Sequence, residues 1–467
     1  MILHALVAAI AGAPHLPLSA DAYLWHLLLA IALVGTLSST IFLGLVLLAA
    51  MRNLRLARAQ SQAAARVARA ALPAVAILKP LHGAEPRLEE NLESFFLQDY
   101  PAFEILFACR TAEDPALAVV ERLCARHPKV AARVVLSGEP HWPNAKVWSL
   151  DKMIAASTNA FLVISDSDVL VRSDFLRNVI PPLLDPHSAA GLVTCLYQGV
   201  PASVSDRSGV GCRVPASVSD RSGVGCRVPA SVSDRSGVGC RVPASGLCSR
   251  LEALGMSVEF SSGVITAEML EGMRFALGSV MALRRDVLEK IGGIASTSQY
   301  YSDDFVLGNR IHAAGYKVEL SHYRVAHVLS AQSFRQTFAA QLRWMQSTRY
   351  SRPLGHLGTG LTFALPFGIL GLAAAAALAH PALGLALLAW SLLNRILQSI
   401  AVGYGVIGDR RALRLCWLYP LRDLLGFVLW LASYCAGSHF RWRGELYRFT
   451  PGGKIISVTR ARVASPA

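Results

Sequence analysis

The feature that most constrains this chain is a run of 28 residues without a charged side chain, from Leu24 to Met51. About 20 apolar residues are enough for a helix to cross the hydrocarbon core of a bilayer, and a buried core helix is rarely this long. A basic cluster follows the run at once, namely Arg52, Arg55, Arg58, Arg66 and Arg69. Because basic residues stay on the cytoplasmic side, the sequence predicts a membrane anchor over residues 1–51 and a cytoplasmic domain after it. A cleaved signal peptide would carry a basic residue before its apolar run, and none precedes Arg52.

A second apolar block predicts further membrane helices over residues 359–440. The runs 359–379 and 382–407 are long enough for a hairpin of two spans. A third run, 415–438, contains Pro420 and the charged pair Arg422-Asp423, so we expect a re-entrant or interface-lying element there. Residues 441–467 are predicted to form a basic cytoplasmic tail.

The composition fits a membrane protein better than a nucleic-acid-binding protein. Hydrophobic residues make up 53% of the chain and charged residues 16%, which excludes disorder for most of it. Basic cytoplasmic loops account for the formal charge of +14, and we predict no nucleic-acid partner.

Residues 70–350 alternate between short apolar runs and amphipathic segments, which predicts an α/β domain with a mostly parallel sheet and helices on both faces. The predicted strands are 74–78, 103–108, 133–136, 161–165 and 191–196. The predicted helices are 86–97, 115–126, 145–157 and 174–184. In such sheets the ligand lies beyond the carboxyl ends of the strands, so polar residues that follow strands are the candidates for chemistry.

Residues 200–241 interrupt this pattern with three identical copies of the unit VPASVSDRSGVGCR. The unit is shorter than a solenoid repeat and has no apolar face. We interpret the segment as a tandem duplication that forms a mobile insertion in the domain.

Two carboxylates follow the predicted strand 161–165. Asp166 and Asp168 are two residues apart, so both side chains point the same way in extended backbone. Adjacent carboxylates bind a hard divalent cation, which can hold a diphosphate. The alternative is a solvated turn, and the position at the end of a strand favours the metal site.

Other charged residues are open to two interpretations. Asp303 and Asp304 begin a predicted helix, where acids are ordinary, yet one of them could accept a proton from a hydroxyl. Asp114, after the strand 103–108, is equally ambiguous. Lys146 and Lys79, at a helix start and a strand end, either touch phosphate or are solvated.

Arg343 and Trp344 lie just before the second apolar block, in a predicted amphipathic helix at the membrane surface. The same two side chains could also meet a phosphate-bearing ligand. The chain contains no GxxxxGK, GxSxG or HExxH pattern, so P-loop, serine-hydrolase and zincin functions lose their usual support.

Together these motifs resemble the ceramide glucosyltransferase family, whose members have the A-type nucleotide-sugar-binding glycosyltransferase fold. Glu113-Asp114-Pro115, Asp166-Ser167-Asp168 and Ser302-Asp303-Asp304 resemble its three Asp motifs. Asn144-Ala145-Lys146 is similar to its Asn-Pro-Lys motif.

Arg343-Trp344 resembles the end of the family's (Gln/Arg)-x-x-Arg-Trp motif. The first position of that motif is Ala340 here, and the nearest glutamine, Gln341, comes one place late.

The resemblance implies a role for each of these residues. The donor-binding residues would be Asp114, Lys146, Asp166, Arg343 and Trp344. Asp166 and Asp168 would hold Mg or Mn on the diphosphate of a UDP-sugar. Asp304, with Asp303 as the alternative, would be the base of an inverting transfer to a lipid hydroxyl.

Among bacterial members, the chain is most similar to the hopanoid-associated glycosyltransferases. This implies transfer of N-acetylglucosamine to a hopanoid polyol by a multi-pass protein of the bacterial inner membrane, with the catalytic domain facing the cytoplasm. The alternatives are glucose transfer to ceramide, a processive polysaccharide synthase and a non-catalytic membrane scaffold.

Overall fold

The computed structural model describes residues 20–85, 87–185, 188–201, 246–329, 333–442 and 444–458. They form an α/β domain with one long helix before it and a group of apolar helices after it. The predicted fold class is therefore confirmed. The repeat lies outside the described residues from position 202 onward, as does the end of the predicted tail, 459–467.

Eight strands form the main sheet, in the order β3-β2-β1-β4-β7-β6-β8-β5. Their bounds are β1 Val75–Pro80, β2 Phe103–Cys109, β3 Ala131–Leu136, β4 Phe161–Ser165, β5 Val169–Leu170, β6 Ala190–Pro201, β7 Val280–Arg284 and β8 Lys317–Leu329. The first four strands of this order are parallel, whereas β7 runs antiparallel to both β4 and β6. The sheet is thus mixed. Its parallel half corresponds to four of the five predicted strands, and the fifth, 191–196, lies within β6.

Helices cover the sheet and fill the connections. Those of the α/β domain are α2 Leu88–Phe96, α3 Ala116–Arg126, α4 Ala145–Ala156, α5 Phe175–Val179, α6 Leu247–Leu254, α7 Ser261–Glu271, α8 Arg285–Lys290, α9 Asp303–Ala313 and α10 Phe334–Ser351. A π-helical turn, Gly255–Phe260, joins α6 to α7, so that 247–271 is one continuous helix. The predicted helix 174–184 is shorter than expected, because a 3₁₀ turn at Pro181–Leu183 replaces its second half where prolines remove helix donors.

Three strands of the parallel half, β1, β2 and β4, are mostly buried on both faces, and a separate core lies on each side of them. The edge strand β3 is largely exposed. Ala76 and Leu78 of β1 face one core, together with residues of α4, α7 and α9. Val75 and Ile77 face the other, together with residues of α2, α3 and α5. Burial on both faces explains why these strands are continuous apolar runs instead of alternating ones.

The N-terminal helix, α1, spans Ala20–Arg66 without a break. At 1.5 Å per residue it is about 70 Å long, more than twice the roughly 30 Å of a bilayer core. Asn53 on its C-terminal part accepts a hydrogen bond from Arg324 of β8 (2.7 Å). On its N-terminal part, the Ser39 carbonyl accepts one from Asn394 (3.3 Å). The predicted anchor therefore continues directly into a helix that packs on the α/β domain.

Two helices in the described part of the chain are long and apolar enough to cross a membrane, Ala20–Arg66 and Pro381–Val406. Large apolar side chains of α1 are exposed along its N-terminal part, among them Leu24, Ile31, Val34, Leu37 and Ile41. An apolar stripe of this kind is stable in lipid and unfavourable in water.

The C-terminal helices are α11 Pro353–Thr359, α12 Leu365–Ala377, α13 Pro381–Gln398, α14 Arg410–Arg414 and α15 Tyr419–Cys435. A π-helical segment, Ser399–Val406, extends α13. The turn of the predicted hairpin lies at Ala379 and His380, between α12 and α13. However, α12 is only about 20 Å long, shorter than the predicted span 359–379.

Pro420 and Arg422-Asp423 do not interrupt the third apolar run in the way the sequence suggested. Pro420 lies in the first turn of α15, where a missing N–H costs nothing, so the helix begins there. Asp423 forms an ion pair with Arg395 of α13 (3.1 Å), and both side chains are nearly fully buried. Its other oxygen accepts hydrogen bonds from the N–H groups of Ala364 and Leu365 at the start of α12. The position of 415–438 relative to a bilayer stays a prediction.

The first part of the predicted tail forms a three-stranded antiparallel sheet of β9 His439–Trp442, β10 Glu445–Phe449 and β11 Ile455–Ser457. Its aromatic face packs on Tyr301 and Tyr350 of the α/β domain. This small sheet therefore borders the region just before α9.

Candidate active site

A cavity of about 790 Å³ lies where the carboxyl end of the parallel half-sheet meets the C-terminal helices. All of the predicted site residues except Asp114 line it, namely Lys146, Asp166, Asp168, Asp303, Asp304, Arg343 and Trp344. The topology explains this, because β4 ends at Ser165 and α9 begins at Asp303 on the same edge of the sheet. The rule that ligands lie beyond the carboxyl ends of strands thus located the cavity correctly.

Lys146 holds the first carboxylate of the Asp166–Asp168 pair. Its amine lies 2.6 Å from Asp166 Oδ1 and 3.9 Å from Asp303 Oδ2. Burial lowers the pKa of Lys146, but the negative charges of Asp166 and Asp303 outweigh it and raise the pKa above its ordinary value. Lys146 is therefore a permanent cation that orients Asp166.

Lys79 is neither solvated nor placed to touch a phosphate, so both sequence interpretations of it are wrong. It is fully buried, and its amine donates to the Asp166 carbonyl (2.6 Å) and to Ser165 Oγ (3.2 Å). The amine also lies 3.7 Å from the centre of the Phe95 ring. Burial lowers the pKa of Lys79 to about 7. Its role is to support the backbone of the Asp166 turn from below.

Asp168 faces a histidine that the sequence reasoning missed. His327 Nε2 on β8 lies 3.4 Å from Asp168 Oδ2, and the Tyr197 ring packs against the imidazole at 5.4 Å. Asp168 Oδ1 and His327 Nδ1 are buried and find no hydrogen-bond partner in the described ranges. Burial raises the pKa of Asp168, so its charged form needs a partner.

The donor set of Asp166, Asp168 and His327 fits a divalent cation such as Mg²⁺ or Mn²⁺. Carboxylate oxygens and an imidazole nitrogen suit these ions, and the orphaned Asp168 Oδ1 supplies a free ligand atom. No three such side chains in the described part of the chain are close enough to form a ready cage. Mg²⁺ does not require one, because it usually keeps waters and binds substrate phosphates.

Asp303 and Asp304 have different surroundings although they are neighbours. Asp303 is almost fully buried and contacts Asn144 Nδ2 (3.4 Å) and Lys146. Asp304 is half-buried, and its Oδ1 accepts a hydrogen bond from the N–H of Phe305 (2.8 Å). Burial, followed by the negative charge of Asp303, raises the pKa of Asp304 to about 6. Of the two, Asp304 is better suited to exchange a proton near neutral pH.

Asn144 joins the two acidic elements. Its Oδ1 accepts from the N–H groups of Lys146 and Val147 at the start of α4, and its Nδ2 donates to the Tyr300 carbonyl (2.9 Å). The side chain is fully buried. Asn144 therefore fixes Lys146 relative to Asp303, which explains why this position needs an amide.

Arg343 and Trp344 enter the cavity from α10, whose start is fixed by a capping box of Ser333 and Gln336. The Trp344 ring is 44% exposed and offers a stacking surface. Burial raises the pKa of Tyr301, while the Arg343 guanidinium beside its hydroxyl opposes that rise. Gln341 also lines the cavity, but it is buried and accepts a hydrogen bond from Arg422 Nη1 of α15 (2.5 Å). One residue of helix turns by about 100°, so the late glutamine faces a different element.

Asp114 lies outside the residues that line the cavity. It accepts hydrogen bonds from the N–H groups of Gly83 (3.0 Å) and Ala116 (2.9 Å). The carboxylate thus caps α3 and holds the loop after β1, which lines the cavity through Leu81 and His82. Its contact with the donor stays a prediction.

A model described as Glycosyl transferase family 21 matches residues 28–206 and 236–455, which is most of the chain. Ceramide glucosyltransferase 1 of Caenorhabditis elegans is 33% identical over 126 residues, 27% of each chain. Ceramide glucosyltransferase 3 of the same organism is 24% identical over 275 residues, 59% of this chain and 50% of that one. The ceramide glucosyltransferase of Komagataella phaffii is 39% identical over 114 residues, 23% of this chain and 22% of that one. The chain spans half or less of the length of these curated relatives.

Solved structures give weaker matches. A mannosyltransferase from Pyrobaculum calidifontis in complex with GDP-Man and Mn²⁺ is 18% identical with a TM-score of 0.44, covering 85% of this chain and 98% of that one. The glucosyl-3-phosphoglycerate synthase of Mycobacterium tuberculosis is 16% identical with a TM-score of 0.33, covering 63% and 83% respectively.

Proposed function

Since the chain belongs to glycosyl transferase family 21, we propose that it transfers a sugar from a UDP-sugar to the hydroxyl of a membrane lipid. The observation that carries this proposal is the meeting of three acidic positions in one cavity. Asp166 and Asp168 follow a buried strand, and Asp304 begins a helix opposite them. A half-buried carboxylate in a cavity, with a pKa raised to about 6, supports a catalytic function over a scaffold function.

The donor would bind at the end of the cavity where Asp166 and Asp168 lie. Asp166, Asp168 and His327 would hold the divalent cation, and Lys146 keeps Asp166 oriented. The chemistry that such an ion supplies is neutralisation of the negative charge on the leaving diphosphate. Arg343 and Trp344 would bind the donor from α10, through charge and stacking respectively.

Asp304 would act as the base. As the lipid oxygen attacks the anomeric carbon, its proton passes to Asp304, and the bond between that carbon and the diphosphate oxygen breaks. A single displacement inverts the anomeric configuration, from an α-linked donor to a β-linked product. Asp303, paired with Asn144 and Lys146, would hold the start of α9 in place.

The lipid and the sugar are narrower proposals. The sequence resemblance favours N-acetylglucosamine and a hopanoid polyol, and the ceramide glucosyltransferases among the relatives favour glucose and ceramide. Lipid mass spectrometry after incubating membranes with UDP-glucose or UDP-N-acetylglucosamine distinguishes them. N-acetylhexosamine on the polyol supports the first, and hexose on ceramide supports the second. A polymer product would instead favour a polysaccharide synthase, and no product on either lipid would contradict the proposed transfer.

The rate is expected to fall on the acid side of pH 6. Asp304 must be ionised to accept a proton, and its pKa is about 6, so kcat/KM should drop nearly tenfold per pH unit below that value. Because the charge of Asp303 contributes to the raised pKa, Asp303→Asn should move this limb to lower pH. The measurement is a pH profile of kcat/KM at saturating metal. A limb unmoved in Asp303→Asn would contradict this assignment of the base.

His327 is expected to contribute to metal affinity. The variant His327→Ala should weaken Mn²⁺ binding by about tenfold or more, because it removes one of the three candidate ligands. The measurement is titration of the purified protein with Mn²⁺, followed by the electron paramagnetic resonance signal of free Mn²⁺. The control is His322→Ala on the same strand, whose imidazole contacts Asn178 instead of an acid (2.9 Å). Equal affinities of the two variants would exclude His327 as a ligand.

A further inference from the structure

One wall of the cavity is not used by the donor site described above. It is a single face of helix 247–271, and we call it the acceptor wall, made of Glu252, Met256, Glu259, Gly263 and Ala267. Successive members are three or four residues apart, so they lie in one row along the helix. The wall lies between the α/β domain and α15, because the helix packs on β6 and on α15.

Glu259 of the wall is in contact with a positively charged residue of α15. Arg422 Nε of α15 lies 2.9 Å from Glu259 Oε2, and its Nη1 donates to Gln341. The guanidinium lies directly on the helix, since a Cβ added at Gly255 would overlap it. The positive charge of Arg422 is therefore already matched by Glu259, and it is not available for a second anion.

Glu252, which lies two positions along the row from Glu259, has an unused hydrogen-bonding capacity. Its carboxyl group lines the cavity and makes no hydrogen bond or ion pair within the described ranges. Burial raises the pKa of Glu252 to about 7. Glu252 is half-buried, and its carboxyl group at the cavity can accept hydrogen bonds from a ligand that carries hydroxyl or amide N–H donors.

The other end of the wall is apolar and open. A Cβ added at Gly263 would meet no atom within 4 Å, and Ala267 follows one turn later. Small residues at these two positions leave a groove along the helix beside the polar end. A ligand that fits the whole wall has a neutral polar head and an apolar body.

We infer that the acceptor wall binds the lipid acceptor, and that Glu252 and Glu259 receive a second hydrogen-bond donor of a neutral headgroup, next to the hydroxyl that reacts. The inference rests on the proposed function and specifies its acceptor. A phosphate-bearing headgroup does not suit the wall itself, because two carboxylates there face one guanidinium that is already paired. Ceramide, with a hydroxyl and an amide, and a polyol lipid, with adjacent hydroxyls, share the required chemistry.

The test measures lipid binding and transfer in the isosteric variant Glu252→Gln. Three acceptors are compared in detergent, namely ceramide, a polyol lipid and a long-chain alcohol with one hydroxyl. Binding of each is followed by the change in the fluorescence of Trp344 and the other tryptophans. Loss of the carboxylate should weaken binding of ceramide or the polyol, and raise its KM, by about tenfold, the effect of one hydrogen bond to a charged group. The single-hydroxyl alcohol should bind equally to both proteins, and UDP binding should not change.

Two further variants serve as a control for the charge change and as a test of the apolar groove. Glu289→Gln, an exposed glutamate of α8, is the matched control and should behave like the parent. Gly263→Leu fills the open groove and should weaken all three lipids while leaving UDP binding intact. Unchanged affinity for all lipids in Glu252→Gln, or an equal loss for the single-hydroxyl alcohol, overturns the inference. Lipid binding that follows the expected pattern without any transfer would instead contradict the proposed function and leave the lipid site standing.

Discussion

Replacing Asp304 by asparagine is expected to reduce kcat by roughly 10²–10⁴-fold, the contribution of a positioned general base. Asparagine keeps the size of the side chain and can still accept the hydrogen bond from the N–H of Phe305 (2.8 Å). It cannot take a proton from the lipid hydroxyl. The measurement is the initial rate of UDP release together with lipid product at saturating donor and acceptor.

The affinity for UDP and Mn²⁺ should be nearly unchanged in Asp304→Asn, because Asp304 contacts neither Lys146 nor Asp168 directly. A matched control is Asp151→Asn on α4, whose side chain is 37% exposed and is not among those that line the cavity. If Asp304→Asn retained the parent kcat and Asp303→Asn lost it, Asp303 would be the base.

The largest effect on stability is expected at Asp423. Asp423→Leu removes the partner of Arg395, whose side chain is 2% exposed, and should lower the free energy of unfolding by about 3–5 kcal/mol. The cost arises because a buried guanidinium is left with an uncompensated charge. The first N–H groups of α12 lose their acceptor at the same time. Thermal unfolding in detergent, followed by circular dichroism, measures the loss.

Two comparison variants separate the cost of the unpaired Arg395 charge from the other effects of Asp423→Leu. The double variant Arg395→Leu with Asp423→Leu should regain the part of the loss that is due to the unpaired charge, because apolar residues can replace a buried ion pair. Asp286→Ala, in the exposed pair of Arg284 and Asp286 (2.7 Å), should cost no more than about 1 kcal/mol. Equal losses for Asp423→Leu and Asp286→Ala would show that the buried pair does not hold the helices together.

Strands β1, β2 and β4 could be predicted because they are mostly buried on both faces and therefore continuous in apolar residues. The edge strand β3 was also predicted from its apolar run, although it is largely exposed. The same reasoning missed β8, where Lys317, Glu319 and Arg324 alternate with apolar residues. These polar side chains lie where α1 crosses the strand: Gln60 donates to Glu319 (3.0 Å), and Arg324 donates to Asn53. Such alternation is a signal of a half-buried strand and could have indicated β8. The partner helix is more than 250 residues away in sequence, so no local pattern could reveal what covers the polar face.

The acidic residues of the candidate site could also be found, because strand ends and helix starts meet at one edge of an α/β sheet. The sequence could not predict the roles of residues whose partners are distant in the sequence. Lys79 resembles a phosphate ligand until the Asp166 carbonyl and the Phe95 ring are placed around it. In the sequence, nothing distinguishes His327 from other histidines in alternating strands; only the fold shows that it lies opposite Asp168.

Because α1 is unbroken, the number of residues between its two sets of contacts is fixed. Ser39 contacts Asn394 among the C-terminal helices, and Asn53 contacts Arg324 in the sheet. These positions are 14 residues apart, close to four full turns, so both contacts lie on the same side of the helix. One residue more or fewer between them would rotate one contact by about 100° relative to the other. The number of residues between Ser39 and Asn53 is therefore expected to matter more for the fold than the identity of the residues between them.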